Sequence, residues 1–263
     1  MLFGVSHKLP DAACLADIKA AGFDYVEISL KNLYALDDDA FEAFAETLKA
    51  SGLPCISANC LFTANLQLTG PEVDPEALRA YLEKTLSRAA RLGVRLSVLG
   101  SGKSRKIPEG ETYAMAEDEL AKVCRDVLEP FGERFDMLFA VEPLSREDTD
   151  LINTVEEGAL FKRKLDLPHF CCLADIFHMY NNGDAYENIT LAGDDLFWMH
   201  IANPVGRLAP LPGDGHDYSA YFGSLKKLGY TGGVTVESKN PAADVRRQVW
   251  TDCCRYLHEL AGE

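Results

Sequence analysis

Four residues of types that bind divalent metals stand at the ends of four apolar segments: Glu142, Asp175, His200 and Glu237. The segments are MLFAVEPL (137–144), FCCLADIF (170–177), LFWMHIAN (196–203) and GGVTVES (232–238). Carboxylates beside buried segments are costly unless a positive group lies among them. Because the same placement occurs four times, we expect Glu142, Asp175, His200 and Glu237 to bind one divalent metal ion together.

The donor atoms narrow the choice of metal. Carboxylate oxygens and an imidazole nitrogen, without a thiolate, suit hard or borderline ions, whereas a structural zinc site usually includes cysteine. We therefore expect Mn²⁺ or Co²⁺, with Mg²⁺ or Zn²⁺ as alternatives. The competing interpretation of each single residue is a carboxylate at a strand end that pairs with a lysine or an arginine.

Two of these residues could also perform acid–base chemistry. A metal that binds a substrate through a carbonyl and the adjacent hydroxyl would acidify the proton on the adjacent carbon and stabilise an enediolate. Glu142 and Glu237 end the fifth and eighth apolar segments, so they could flank the substrate from different sides. One would remove the proton and the other would return a proton to the opposite face, which is epimerisation. Return of the proton at the neighbouring carbon would instead give aldose–ketose isomerisation.

These segments belong to a pattern that alternates with helical periodicity along the whole chain. The other four are LFGVSHK (2–8), YVEISL (25–30), CISANCLF (55–62) and RLSVLGSG (95–102). Near-continuous apolar runs are typical of parallel strands that are buried on both faces. The pattern predicts an α/β fold, a single-domain (β/α)8 TIM barrel over residues 1–263, with the site at its C-terminal rim. A doubly wound open sheet is the rival topology, but the first turn lacks its glycine-rich phosphate-binding pattern.

The composition excludes several classes of protein. A net charge of −15 over 263 residues argues against binding to nucleic acid or to an anionic membrane surface. The start of the chain, MLFGVSHKLPDA, lacks the features of a signal peptide, and no run reaches the roughly 20 apolar residues of a membrane helix. None of the eight cysteines forms a C-x-x-C pair, so we expect reduced thiols in a cytoplasmic protein. A homo-oligomer is left open.

Several longer motifs resemble one enzyme family. EPLSREDT (142–149), followed by Asn153 and Thr154, resembles the fifth-strand signature of the ketose 3-epimerases. CCLADIFHM (171–179) resembles their sixth-strand D-x-x-H motif, HIAN (200–203) with PGDGH (212–216) their seventh strand and loop, and VES (236–238) the eighth. The chain thus resembles the xylose-isomerase-like TIM-barrel superfamily, nearest to the D-tagatose/D-psicose 3-epimerases. The resemblance implies a metal-dependent isomerase of carbohydrate metabolism that acts on a small sugar or sugar phosphate.

The resemblance also implies residues that bind the substrate. His178 follows Asp175 by three residues, where the strand is expected to enter its loop, and Arg207 lies in the loop after the seventh strand. Both are expected to contact substrate hydroxyls, with Asp148 as a third substrate-binding residue. The alternatives are a histidine packed under the rim for His178 and a solvated arginine for Arg207. His7, at the end of the first strand, is a further candidate for lining the pocket.

Other functions fit parts of the same pattern. A metal-dependent lyase, of the inosose or dehydroshikimate dehydratase type, could use the same four ligands. A non-catalytic sugar-binding protein would need no pair of opposed glutamates. A DNA-repair endonuclease on this barrel would need a histidine-rich multi-zinc site and a basic groove, but this acidic chain has only six histidines. The loop GSGKSRKIP (100–108) gathers three cations that could meet an anionic group or simply be solvated.

Overall fold

Eight parallel strands pair in sequence order, and the last pairs with the first, so the sheet closes into a barrel. The computed structural model describes residues 1–262. The strands are β1 (Leu2–His7), β2 (Tyr25–Ser29), β3 (Cys55–Asn59), β4 (Leu96–Leu99), β5 (Leu138–Val141), β6 (Phe170–Asp175), β7 (Leu196–Ile201) and β8 (Gly233–Val236). Each strand lies inside its predicted segment and is shorter than it. The predicted (β/α)8 barrel is confirmed, and the open-sheet alternative is wrong.

Helices connect the strands and cover the outside of the barrel. They are α1 (Ala12–Ala20), α2 (Leu30–Ala35), α3 (Asp38–Ser51), α4 (Pro75–Arg91), α5 (Tyr113–Val123), α6 (Glu129–Phe135), α7 (Val155–Leu165), α8 (Ile176–Asn182), α9 (Ser219–Lys227) and α10 (Arg246–Ala261). A π-helical turn, Cys124–Leu128, joins α5 to α6, and a 3₁₀ segment, Tyr186–Asp195, precedes β7. Within residues 1–262, no helix is both long and apolar enough to cross a membrane.

Polar residues at the helix ends explain where the helices begin. The Asp37 carboxylate accepts a hydrogen bond from the Ala40 N–H at 2.8 Å and caps α3, which ends at Gly52 with φ of +63°. Thr154 and Glu157 form a reciprocal capping box at the start of α7. These local signals fix where the helices begin and end. Each helix then returns the chain to the end of the barrel at which the next strand begins.

Two glycines make room for an aromatic floor inside the barrel. A Cβ atom on Gly4 would overlap the ring of Tyr25, and one on Gly233 would overlap the indole ring of Trp198. The rings of Tyr25 and Trp198 lie against each other, with centroids 5.3 Å apart. Because inward side chains on a strand are two residues apart, the next inward residue on β7 is His200. The aromatic floor therefore lies directly beneath the predicted metal ligands.

Candidate active site

The barrel brings the four predicted ligands together at its C-terminal rim. Glu142 directly follows β5, Asp175 ends β6, His200 is the penultimate residue of β7, and Glu237 directly follows β8. One donor atom from each lies within 4.8 Å of the donors of the other three. All but Glu237 are buried. Four consecutive strands thus deliver three carboxylates and one imidazole to one point.

The candidate ligand atoms of this cluster lie close to one another. The Nδ1 atom of His200 lies 3.1 Å from Oε1 of Glu142 and 3.4 Å from Oε2 of Glu237. The Oδ1 atom of Asp175 accepts a hydrogen bond from the Phe177 N–H at 2.9 Å, which caps α8. Its Oδ2 atom is buried and has no hydrogen-bond partner. A buried carboxylate oxygen without a donor is costly, and a cation at this point would satisfy it.

The donor set fits a divalent ion of the hard or borderline type. Three carboxylates and one imidazole nitrogen converge without a thiolate among them. Cys60 is the one cysteine among the residues that line the adjoining cavity, and burial raises its pKa to about 11. A protonated thiol is a poor metal ligand, because the thiolate is the form that binds.

The surroundings of the cluster shift the pKa values of its acidic groups in opposite directions. Burial raises the pKa of Glu142 above its usual range, although the hydrogen bond from His200 opposes the shift. Burial also tends to raise the pKa of Glu237, but the charges of His200 and Arg207 outweigh it and hold this pKa well below the usual range. For His200, burial lowers the pKa, but the neighbouring carboxylates of Glu27 and Glu237 outweigh this effect and hold the pKa well above its usual range.

Arg207 lies beside the cluster rather than in solvent. Its guanidinium forms an ion pair with the Glu237 carboxylate and lies 3.6 Å from Oδ2 of Asp175. The same group stacks over the Phe177 ring at 4.4 Å from the centroid. Asn59 donates a hydrogen bond at 2.7 Å to the other oxygen of Glu237. Glu237 is therefore fixed from two sides, and the solvated-arginine alternative is wrong, while substrate binding by Arg207 stays a prediction.

His178 lies in the first turn of α8, not in a loop as the sequence suggested, because the Asp175 cap starts the helix directly after the strand. Its Nδ1 atom lies 3.0 Å from the Ser145 N–H nitrogen and 2.8 Å from the Ser145 hydroxyl. Its Nε2 atom lies 3.6 Å from Oδ2 of Asp175. Asp148 is half exposed, with Oδ2 3.8 Å from the His178 ring. Both predicted substrate residues thus lie close to the ligand cluster, and their role stays a prediction.

An open cavity of about 440 Å³ adjoins the cluster. Glu142, Glu237, His178, Arg207 and Asp148 all line it. A second lobe of about 470 Å³ shares Arg207 and Glu237 with the first and is also lined by His7. The cavity is large enough for a monosaccharide, since ligand pockets commonly occupy about 300–1,000 Å³. The predicted catalytic and substrate-binding residues therefore share one pocket.

The loop after β4 contains a residue whose role the sequence did not reveal. Arg105 is fully buried, and it donates hydrogen bonds to the carbonyl oxygens of Gly100, Leu151 and Glu142. Burial lowers its pKa to about 10, and the charge of Glu142 opposes the shift. The hypothesis that the three cations of this loop act together is wrong, because Arg105 faces inward while Lys103 and Lys106 are exposed. Arg105 instead fixes the backbone that carries Glu142.

A second overlooked residue is Glu27, in the middle of β2. It is completely buried, and its Oε1 atom lies 3.2 Å from Nε2 of His200. The signal in the sequence is a single carboxylate inside the apolar run YVEISL. That signal alone cannot say whether the side chain points into the barrel or towards the helices.

Comparison with known proteins finds one matching family and several similar enzymes. Residues 15–257 match the family described as xylose isomerase-like TIM barrel. A probable ketose 3-epimerase of Synechocystis sp. is 27% identical over 234 residues, covering 85% of this chain and 77% of that protein. A 3-dehydro-D-guloside 4-epimerase of Escherichia coli K12 is 28% identical over 253 residues, covering 91% of each. A solved D-psicose 3-epimerase has the same fold, with a TM-score of 0.80 at 18% identity and 100% of both chains covered.

Proposed function

Because the chain belongs to the xylose isomerase-like TIM barrel family, we propose that it is an isomerase that epimerises a small ketose at carbon 3 and depends on one divalent metal ion. The compared relatives are named as epimerases that act at position 3 or position 4 of a sugar. The observation that carries the proposal is the placement of Glu142 and Glu237 directly after β5 and β8, which are not neighbours, with Asp175 and His200 between them.

Glu142, Asp175, His200 and Glu237 would hold the ion, and their donor set favours Mn²⁺ or Co²⁺ over Mg²⁺ or Zn²⁺. When bound, it would polarise the ketose carbonyl and acidify the proton on the adjacent carbon. The buried Oδ2 atom of Asp175 supports this assignment, because it accepts no hydrogen bond and its neighbours Arg207 and His178 stay 3.6 Å away.

The two glutamates would move the protons. One removes the proton from the carbon beside the carbonyl, which leaves an enediolate, and the other delivers a proton to the opposite face. Asn59 and Arg207 keep the Glu237 carboxylate in a single orientation, which such a transfer requires. His178, Arg207 and Asp148 line the cavity beside both glutamates and would bind the substrate hydroxyls.

A panel of ketoses and ketose phosphates, incubated in D₂O with the Mn²⁺-loaded enzyme and followed by NMR, tests the proposal. Deuterium at the carbon next to the carbonyl, together with inversion at that carbon, is the expected result. An aldose product would indicate isomerisation, and loss of water would indicate the dehydratase alternative. Failure of every substrate to exchange with a fully metallated enzyme would contradict the proposal.

Metal dependence is tested without a substrate. Elemental analysis and anomalous scattering should find one ion per chain between the four ligands. Chelation should lower the unfolding temperature, because a ligand that binds only the native state stabilises it. Protein soaked in Mn²⁺ that shows no ion between these side chains would refute the metal site.

A further inference from the structure

The Glu27 carboxylate lies one layer deeper in the barrel than the four candidate ligands. Its Oε2 atom accepts hydrogen bonds from the Ser57 hydroxyl at 2.8 Å, the Trp198 indole N–H at 3.2 Å and the Thr235 hydroxyl at 3.4 Å. Tyr25 in turn bonds to the Thr235 hydroxyl at 2.8 Å. Three strands besides β2 thus clamp one oxygen of the carboxylate and fix its orientation.

The other oxygen of Glu27 has only one polar neighbour. Oε1 is buried and makes no well-aligned hydrogen bond, but Nε2 of His200 lies 3.2 Å from it and hydrogen-bonds to Oε2 at 3.3 Å, so the ring nitrogen faces both oxygens of the carboxylate. Within residues 1–262, no lysine or arginine forms an ion pair with Glu27, and the carboxylate is completely buried. A buried carboxylate needs a positive or strongly polarised partner, and the imidazole ring of His200 is the one at hand.

The two ring nitrogens of His200 therefore face different partners. Nε2 faces Glu27, whereas Nδ1 faces the carboxylates of Glu142 and Glu237. A carboxylate only accepts hydrogen bonds, so Glu27 requires a proton on Nε2. The lone pair available for a metal is then on Nδ1, on the side of the other candidate ligands.

We propose that Glu27 is a positioning residue, which fixes the orientation and the tautomer of His200 so that Nδ1 binds the metal. This inference rests on the proposed metal site. A carboxylate behind a ligating histidine also makes the imidazole a stronger donor, and loss of such partners commonly weakens metal binding by about 10–100-fold.

The variant Glu27→Gln tests this role with almost no change in volume. The hydroxyl and indole donors would hold the amide oxygen of Gln in the place of Oε2, so its NH₂ group would face Nε2 of His200. Two donors would then oppose each other unless the proton moved to Nδ1, which is the wrong nitrogen for a metal ligand. We expect Mn²⁺ affinity, measured by calorimetry, to fall by about 10–100-fold.

The nitrogen-15 shifts of His200 in the Zn²⁺-loaded protein provide a readout besides affinity. The wild type should show a metal-bound Nδ1 and a protonated Nε2, and Glu27→Gln should lose this pattern. Ser57→Ala is the matched control, because it removes one hydrogen bond to Glu27 but leaves the contact with His200. It should retain both the shifts and an affinity within about threefold of wild type.

Glu27→Asp keeps the charge on a shorter side chain and serves if Glu27→Gln does not fold. We expect weakened binding with the Nε2 proton retained. A folded Glu27→Gln protein with wild-type affinity and wild-type shifts would overturn the inference while leaving the metal site intact. Wild-type protein that binds neither Mn²⁺ nor Zn²⁺ would instead refute the proposed function, so the two failures are distinguishable.

A second, independent observation concerns charge at the mouth of the barrel. The segments that directly follow β1, β2, β4 and β8 each place one exposed lysine on the cavity wall, namely Lys8, Lys31 at the start of α2, Lys103 and Lys239. None of the four forms an ion pair within the part of the chain that the structure describes. Apart from the candidate metal ligands, Asp148 is the one carboxylate among the residues that line the two lobes.

This local excess of positive charge contrasts with the acidic composition of the chain as a whole. The sequence has 41 acidic and 26 basic residues, so an unselected surface would carry more carboxylates than ammonium groups. A cleft lined by one sign of charge raises the local concentration of ligands of the opposite sign. We infer that the ketose substrate carries an anionic group, a phosphate or a carboxylate, at the end remote from the reacting carbons.

Lys31 borders both lobes of the cavity and is the best position for a test. The measurement compares kcat/KM for a ketose, its terminal phosphate and the matching keto-acid, with wild type and with Lys31→Met/Lys103→Met. We expect one anionic substrate to exceed the neutral ketose by about tenfold or more in the wild type, and the double variant to lose most of that preference. Lys227→Met, in the last turn of α9 at the opposite end of the barrel, is the control and should keep it.

If the ketose phosphate has the higher kcat/KM, the anionic group is a phosphate; if the keto-acid has the higher kcat/KM, it is a carboxylate. Equal or faster turnover of the neutral ketose at low ionic strength would overturn the inference, as would an unchanged preference in the double variant. Either result would leave the proposed epimerase function standing, because that function requires only exchange with some ketose.

Discussion

Gly100 and Glu142 lie so close together that a Cβ atom on the glycine would overlap Oε2 of the glutamate. Gly100→Ala should therefore displace the carboxylate without disturbing the barrel, and we expect metal affinity to fall by about tenfold or more. Calorimetric titration with Mn²⁺ measures this loss. Gly223→Ala is the control, because a Cβ atom there meets no atom within 4 Å. Wild-type affinity in Gly100→Ala would show that Glu142 does not need this space.

Arg105 should contribute more to stability than to chemistry. Arg105→Met would leave the buried carbonyl oxygens of Gly100, Leu151 and Glu142 without their donor. An unsatisfied buried acceptor costs about 1–3 kcal/mol, so we expect a loss of about 3 kcal/mol or more in the free energy of unfolding. Urea unfolding measures it, with the exposed neighbour variant Lys106→Met as control. A loss of less than about 1 kcal/mol would contradict the bonding described for Arg105.

The two glutamates should each be essential for turnover. Glu142→Gln and Glu237→Gln are expected to lower kcat by more than about a hundredfold, the usual scale for general acid–base groups. Because both residues are also candidate ligands, the metal content of each variant must be measured together with its activity. A fully metallated Glu237→Gln enzyme with near wild-type deuterium exchange would reject the two-base mechanism.

His178 and Arg207 should separate substrate binding from metal binding. His178→Ala and Arg207→Ala are expected to retain the metal while kcat/KM falls, because positioning of the substrate is lost. Arg207→Lys keeps the charge but cannot stack on Phe177 as a planar group, and it should restore only part of the activity. Unchanged kcat/KM in both alanine variants would remove these residues from the substrate site.

An ion pair between the outer helices α1 and α10 should make stability depend on acid pH. Hydrogen bonds from Arg246, opposed by partial burial and assisted by Arg247, lower the pKa of Asp17. A depressed folded-state pKa stabilises the protein above the unfolded value of about 3.9, and this stability is lost as the pH falls towards the folded value. Asp17→Asn should thus cost on the order of 1 kcal/mol at pH 7. Urea unfolding should show this difference shrinking below about pH 4, and a constant difference would contradict the assignment.

The sequence determined the barrel and the composition of the ligand cluster. Parallel strands joined by helices all present their C-terminal ends at one rim, so residues far apart in the chain meet there whenever each ends its own strand. That rule needs only the strand boundaries, which the apolar runs of Glu142, Asp175, His200 and Glu237 supply to within a few residues. Nothing about side-chain contacts is required for it.

The tertiary structure decided which polar residues support that cluster. A strand buried on both faces has the same apolar character on each, so its sequence cannot tell that Glu27 points inward beneath His200. Arg105 was equally hidden, because its partners are backbone carbonyls, two of them in the connection between β5 and α7. The helical position of His178 depended on the Asp175 side chain acting as a cap. Local patterns fix elements and their ends, whereas these contacts join distant segments and exist only once the barrel has closed.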